Sequence, residues 1–466
     1  MEIKRDSSWF QGLCFSVGTA GLLRCVGVKR AVWTPAQADR HGQKCLLCPL
    51  VWVVFATSMR RLLATYSPSK WARAAQMRGG GASAWPFASA SILALAIFAL
   101  EGCGGGQSST AAAPLPADPP VAVVPSIGVL SITGIPRLDP YPSSAVAIAA
   151  AYSDAADLAY AAGARGQQLN FSWGELESAA GVYDAARMAE LSSAVNVAKA
   201  RSLVQYVGIQ PINTQYRDVP ADLVGRAFDD PVLIARFHAL LDRVVGQNRG
   251  RIQYLSLGNE VDIYLGAHPA ELAAFTTFMR DALAYTHGLD PAVKVGVTGT
   301  GDGLLGDKAA LLKQLNDAGT DVVILTYYPI HTDAAGVVSV RDPSVVAADM
   351  TQFLAFSGSK PLVFQEVGFP SSVGNLSSEP LQAIFIHQLF AAWELAGQRI
   401  PYLNLFALHD FTPAMCADLA AHYQRPGVTS FQDYLCTLGL RHADGSVKVS
   451  WQAVTDEAAR VLFRKP

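Results

Sequence analysis

The mature part of this chain is expected to fold as a (β/α)8 barrel, on three observations. Short apolar runs alternate with longer Ala- and Leu-rich stretches of 3.6-residue periodicity from about residue 125 onward. Eight such pairs follow one another in roughly 340 residues, the count and length of a closed parallel barrel. The first strand–helix turn, "ITGIPRLDPYP", lacks the glycine-rich phosphate loop that would open a doubly wound sheet.

The strand candidates, in order, are "IGVLSIT" (127–133), "GQQLNFSW" (166–173), "LVQYVGIQ" (203–210) and "IQYLSLGNE" (252–260). The second half supplies "KVGVTGT" (294–300), "DVVILTYYP" (321–329), "PLVFQEVGF" (361–369) and "YLNLFALHD" (402–410). Helix patterns fall near 143–162, 186–201, 230–247, 269–287, 307–318, 343–357, 378–397 and 450–463. A GxGxxG spacing, "GDGLLG" (301–306), follows the fifth strand but has no acid ending the next one, so a glycine-rich loop is the better reading than a dinucleotide site.

The N-terminal quarter reads differently. Residues 87–103, "FASASILALAIFALEGC", form an apolar run behind arginine-bearing stretches, as in an export signal. The run is shorter than the ~20 residues of a comfortable membrane span. Its end resembles a bacterial lipobox, with Cys103 as the lipidated residue and Glu101 as a departure from the pattern. An ordinary signal peptide or an uncleaved anchor is the alternative. Residues 1–76, with Cys14, Cys25, Cys45 and Cys48, are expected to be a non-native upstream extension, disordered or absent from the working protein. The CxxC at 45–48 has no second pair and is discounted as a redox or zinc site. Residues 77–103 are then the signal, 104–124 a Gly/Ser/Ala/Pro tether and 125–466 the barrel domain. The expected location is the bacterial cell envelope, anchored by lipid if Cys103 is modified, or the periplasm or exterior. In that compartment Cys416 and Cys436, twenty residues apart, are expected to pair.

A net charge of −2 and 16% charged residues, without a basic patch, argue against a nucleic-acid partner. His238, His287 and His387 sit in helix patterns with no partner at ligand spacing, so no metal and no cofactor is expected. Nothing calls for an oligomer, and a monomer is expected.

Chemistry in such barrels sits at the C-terminal ends of the strands. Two otherwise apolar strands end in an acid: the fourth in "LGNE", with Asn259 and Glu260, and the seventh in "FQEV", with Glu366. Strands four and seven stand across the ring from each other. Opposed carboxylates are the requirement of glycoside hydrolysis, one to protonate the leaving oxygen, the other to attack carbon or activate water. An exposed loop acid is the ordinary explanation of either glutamate alone.

This arrangement resembles the retaining glycoside hydrolases of clan A, the "4/7" superfamily. Further segments agree: "FSWGELESAAGVYD" around Trp173, Tyr327-Tyr328-Pro329 at the end of strand six, and "GLRHADGSVKVSW" (439–451) before the last helix. The resemblance implies Glu260 as general acid/base and Glu366 as nucleophile, with Tyr328 bonded to it and Asn259 on the sugar 2-hydroxyl. It implies a carbohydrate substrate and carboxyls ~5–5.5 Å apart. Trp173, Tyr327, His331, Phe406 and His409 are the further candidates for sugar contacts. An arginine within strand two and a tryptophan ending strand eight, common in the clan, are missing. Gln168 or Asn170 and Phe406 or His409 stand in those places. Two alternatives remain at this point: a carbohydrate-binding surface lipoprotein that has lost catalysis, and a transglycosylase with the same site.

Overall fold

The computed structural model describes residues 127–462, and before them only a two-residue antiparallel pairing of Cys14–Phe15 with Arg24–Cys25. The signal, lipobox and tether expectations therefore lie outside the described residues.

Eight strands form two parallel sheets that share one strand. They are β1 (Val129–Ile132), β2 (Gly166–Ser172), β3 (Val204–Asn213), β4 (Tyr254–Asn259), β5, β6 (Val323–Tyr327), β7 (Leu362–Val367) and β8 (Tyr402–Leu405). Strand β5 is interrupted at Val297; its first piece, Lys294–Gly296, pairs with β4, and its second, Thr298–Thr300, pairs with β6. One sheet thus runs β2-β3-β4-β5 and the other β5-β6-β7-β8-β1. At the remaining seam, Arg165 N donates to Leu130 O at 2.8 Å. The ring is the expected (β/α)8 barrel.

A helix follows each strand: α1 (Ala145–Ala161), α2 (Ala185–Ala200), α3 (Pro231–Val244), α4 (Leu272–Leu289), α5 (Ala309–Asp317), α6 (Val346–Ser357), α7 (Glu379–Ala396) and α8 (Val449–Leu462). Several begin where a short polar side chain can satisfy a free backbone N–H. Ser144, Asp184, Asp230 and Ser378 each accept such a bond, and Pro231 opens α3 at the position where no N–H is needed.

The core has two layers, which follow from the two-residue period of a strand. Outward residues pack under the helices, as Val323, Leu325 and Tyr327 do on β6. Inward residues fill the barrel, where Tyr206, Ile324, Val363 and Tyr402 close its lower half. Above them the interior becomes polar. Gln365 Oε1 accepts from Tyr206 OH and from Thr298 Oγ1, both at 2.6 Å, and Thr298 Oγ1 lies 2.7 Å from Ser256 Oγ. Every one of these four side chains is fully buried, so the network is fixed by its own bonds.

Candidate active site

Above this network lies a cavity of about 560 Å3 at the C-terminal ends of the strands, within the ordinary size range of small-ligand sites. Glu260 and Glu366 both line it, half-buried.

A strict alternation would send neighbouring residues to opposite faces, yet Asn259 with Glu260, and Gln365 with Glu366, all serve the cleft. The backbone explains both pairs. At the end of β4, Gly258 has φ +125° and Glu260 has φ +46°, left-handed conformations that re-aim the chain. A Cβ on Gly258 would lie 2.5 Å from Val261 Cγ1, so glycine is required there. On β7 the pairing register slips against both neighbours, between Leu325 and Thr326 on β6 and between Phe364 and Val367 towards β8. A bulge of this kind turns an extra side chain inward.

The two carboxyls have different neighbours. Glu260 Oε2 accepts from Thr214 Oγ1 at 2.9 Å and Oε1 from Thr326 Oγ1 at 2.8 Å. Burial, and then the charge of Glu366, push its pKa up to about 7. Glu366 Oε2 accepts from Tyr328 OH at 2.7 Å and Oε1 from Gln365 Nε2 at 3.3 Å. Burial raises Glu366 above the ordinary carboxylate value, and these two hydrogen bonds pull it back. The two carboxyls repel each other when both are charged, and the hydrogen bonds from Tyr328 and Gln365 favour the ionised form at Glu366.

Asn259 is fixed between the two. Its Oδ1 accepts from Gln365 Nε2 at 2.6 Å, and its Nδ2 donates to Asn213 Oδ1 at 3.1 Å and to Thr214 Oγ1 at 3.3 Å. Gln365 therefore bridges Asn259 and Glu366 and reaches down into the interior network. Phe406 lines the cleft, edge-on to Tyr328 with ring centroids 6.4 Å apart; the peptide after it is cis. Gln168 and Asn170 line it from β2, in the place of the missing arginine.

Four candidates for sugar contact are displaced from the cleft. Trp173 is fully buried beneath the helices, edge-on to Phe237 at 4.9 Å, and donates to Glu177 Oε2 at 2.9 Å. Tyr327 is on the outward phase of β6 and donates to Asp349 Oδ2 at 2.8 Å, which leaves only Tyr328 facing inward. His331 is exposed on the hairpin Ile330–Thr332/Val338–Val340, whose Ile330 and Thr332 take the cleft-facing phase. His409 is buried, with Nδ1 on Ile135 O at 2.8 Å and Nε2 accepting from Arg441 Nε at 3.3 Å. Burial lowers its pKa, and it acts as a neutral pin between loops.

Other cleft residues were not singled out from the sequence. Gln365 was detectable, since a buried amide beside a strand-end acid has no packing purpose. Thr214 and Thr326 carry no such signal, because hydroxyls are ordinary at strand ends. Tyr423, Tyr434 and Asp302 come from loops whose course the periodicity does not encode. Burial pushes Asp302 up to about 7. Cys416 and Cys436 are joined, with Cα atoms 5.7 Å apart. Among the described residues there is no cluster of metal-binding side chains and no helix long and apolar enough to cross a membrane.

No family model and no curated protein matches the sequence. Solved structures do match. An exo-beta-1,4-mannosidase, Op5Man5 from Opitutaceae bacterium strain TAV5, is 19% identical over 66% of this chain, with a TM-score of 0.52; the chain spans 55% of that protein's length. GH5_18 from Bifidobacterium longum subsp. longum is 16% identical, with a TM-score of 0.55 over 73% of this chain and 81% of that one. A GH5_18 variant from Streptomyces cattleya in complex with Manb1-4GlcNAc is 18% identical, with a TM-score of 0.52 over 67% and 76% of the two chains. Identities this low speak for architecture, and the chain shares the (β/α)8 barrel of these proteins.

Proposed function

We propose that the protein is a retaining glycoside hydrolase that cleaves a β-linked oligosaccharide or polysaccharide. The observation that carries this reading is the pair of unlike glutamates in one cleft. Burial and the Glu366 charge push Glu260 up to about 7, and Glu366 accepts two hydrogen bonds that favour its ionised form. Environments that drive two carboxyls apart are how one site supplies both an acid and a nucleophile near neutral pH.

In the first step an ionised Glu366 oxygen bonds to the anomeric carbon while the bond from that carbon to the leaving oxygen breaks. The proton on Glu260 passes to that oxygen, and the remainder of the chain departs as an alcohol. In the second step Glu260, now a carboxylate, takes a proton from water. The water oxygen bonds to the anomeric carbon, the ester bond to Glu366 breaks, and both residues return to their starting states. Tyr328 and Gln365 hold the Glu366 carboxylate for in-line attack. Asn259, locked by Gln365 and Asn213, is poised to bind the 2-hydroxyl of the reacting sugar.

The mannosidase among the structural relatives makes β-mannosides the first substrates to try. The test is proton NMR of the products as they form, beside Glu260→Gln and Glu366→Gln. The reading requires the β-anomer to appear first and each variant to lose at least about 10^3-fold in kcat. Initial appearance of the α-anomer would overturn the retaining assignment.

Export with a lipid anchor on Cys103 is part of the same proposal, supported by the apolar run and the tether in the sequence. Mass spectrometry of the membrane fraction from a bacterial host tests it. A diacylglyceryl mass on Cys103 supports the anchor, and an unmodified chain in the soluble fraction contradicts it.

A further inference from the structure

The excursion after β8 crosses the mouth of the barrel. It contains helices Pro413–His422 and Thr429–Cys436, joined by the Cys416–Cys436 bond. Its ties reach the loops of four other strands. From the loop after β3, Gln215 Nε2 donates to His422 O at 3.0 Å and Tyr216 OH donates to the same carbonyl. From the hairpin after β6, Val338 N donates to Ser430 Oγ at 3.0 Å. From the loop after β7, Ser371 N donates to Thr437 O at 3.1 Å. From the loop after β1, Ile135 and Leu138 join the apolar cluster built on Leu419 and Leu438.

Both ends of the excursion are clamped by one buried cation. Lys448 is 1% exposed and donates to Asp410 Oδ1 at 2.8 Å, Gly439 O at 2.9 Å, Ser371 Oγ at 3.0 Å and Thr437 O at 3.2 Å. A buried ammonium paired with the Asp410 carboxylate, its three hydrogens shared with three neutral oxygens, ties together the segments that supply them, because losing the carboxylate would leave its charge unpaired in a dry place. The excursion is therefore a fixed roof.

Under it, Tyr423 and Tyr434 line the cavity, and Tyr434 stands edge-on to Tyr328 at 5.8 Å. The remaining rim is of another kind. Ile263, Asp302, Asp307 and Lys308 line the cavity from the loops after β4 and β5, the side from which Glu260 enters. An acid protonates the leaving oxygen, so the departing part of the substrate occupies that side. The sugar that keeps the anomeric carbon then lies towards Glu366, whose partner Tyr328 packs edge-on against Tyr434 of the roof.

Resting on the glycosidase reading above, we infer that the roof makes the site a blind pocket for the non-reducing end of a chain. The enzyme removes terminal units, and the shortened chain leaves past Asp302 and Lys308. Tyr423 and Tyr434 form the wall that an internal segment would have to pass through.

The test uses the full chain with β-1,4-mannohexaose and cellohexaose carrying a fluorescent label on the reducing end. Each is supplied plain and with the 4- and 6-hydroxyls of its non-reducing sugar closed by an ethylidene cap. Blind-pocket cleavage predicts labelled products that shorten stepwise from the far end, and at least a hundredfold slower turnover of the capped substrate. Tyr423→Ala is expected to narrow that hundredfold ratio by opening the wall. Mid-length labelled fragments from the outset, with equal rates for capped and plain chains, would overturn the inference while leaving the glycosidase intact. No turnover of either plain chain, together with no covalent adduct on Glu366 from 2-fluoro-glycosides, would overturn the underlying reading and the inference with it.

Discussion

Glu260 and Glu366 have the same side chain and are separated in role by what surrounds them. Burial and then the Glu366 charge raise Glu260 to about 7 against the downward pull of two threonine hydroxyls, while a phenol and an amide hold Glu366. The acid must be protonated and the nucleophile ionised, so kcat/KM should fall as pH rises through about 7 and fall again at low pH as Glu366 gains its proton. A pH–rate profile checks this; a flat response from pH 6 to 9 would remove Glu260 from the acid's place. Tyr328→Phe takes away the 2.7 Å bond to Glu366. It is expected to lower kcat by about 10- to 100-fold with little change in folding, as loss of a charge-assisted hydrogen bond would. Both glutamates and Asn259 were legible in the sequence, because polar groups closing apolar strands have no packing purpose. Trp173, Tyr327 and His409 were misplaced for a definite reason. A residue at a strand end has two faces to choose from, and motif spacing does not say whether it meets the cleft or the helices.

At the scale of elements, the local breaks in regularity aim the chemistry. Gly258 at φ +125° and Glu260 at φ +46° turn the end of β4, and register slips on both sides of β7 turn Glu366 inward. Gly258→Ala would place a methyl 2.5 Å from Val261 in a conformation costly for any other residue. It is expected to destabilise the fold by about 1–3 kcal/mol and to lower kcat more than it raises KM, which thermal melts and steady-state kinetics would resolve. The positions of all eight strands and eight helices were readable, since each obeys its period over a long enough stretch. The fixed path of the roof was not, because loop ties such as Val338 to Ser430 join residues 92 apart with no periodic signature. Replacing Cys416 and Cys436 by serine opens a 20-residue loop. The unfolded chain gains about 3 kcal/mol of entropy by the loop-closure estimate, so the melting temperature should drop. If the roof is the pocket wall, capped oligosaccharides should also become better substrates.

For the whole molecule, buried acids set a pH dependence of stability. Burial raises Glu175 to about 7 and Glu190 to about 8 in the loop after β2 and on α2, where Arg187 pulls both down and Asp184 pushes both up. Their folded values exceed their unfolded ones, as does that of Glu260. The stability they contribute is complete below the ordinary carboxylate pKa and is lost as pH rises through about 7–8. Thermal midpoints should therefore fall between pH 5.5 and 8.5, roughly, over the range those shifts define, and Glu190→Gln should flatten the decline. A midpoint that rises over this range would contradict the protonated burial of these acids.

The central claim is that Glu366 attacks the anomeric carbon. Incubation with a panel of 2-fluoro-β-glycosides, followed by intact mass and peptide mapping, tests it directly, since these reagents trap the glycosyl-enzyme ester. The account predicts one added glycosyl group, mapped to Glu366 and lost in Glu366→Gln. An adduct on another residue, or turnover of the matching substrate by Glu366→Gln at the wild-type rate, would contradict it.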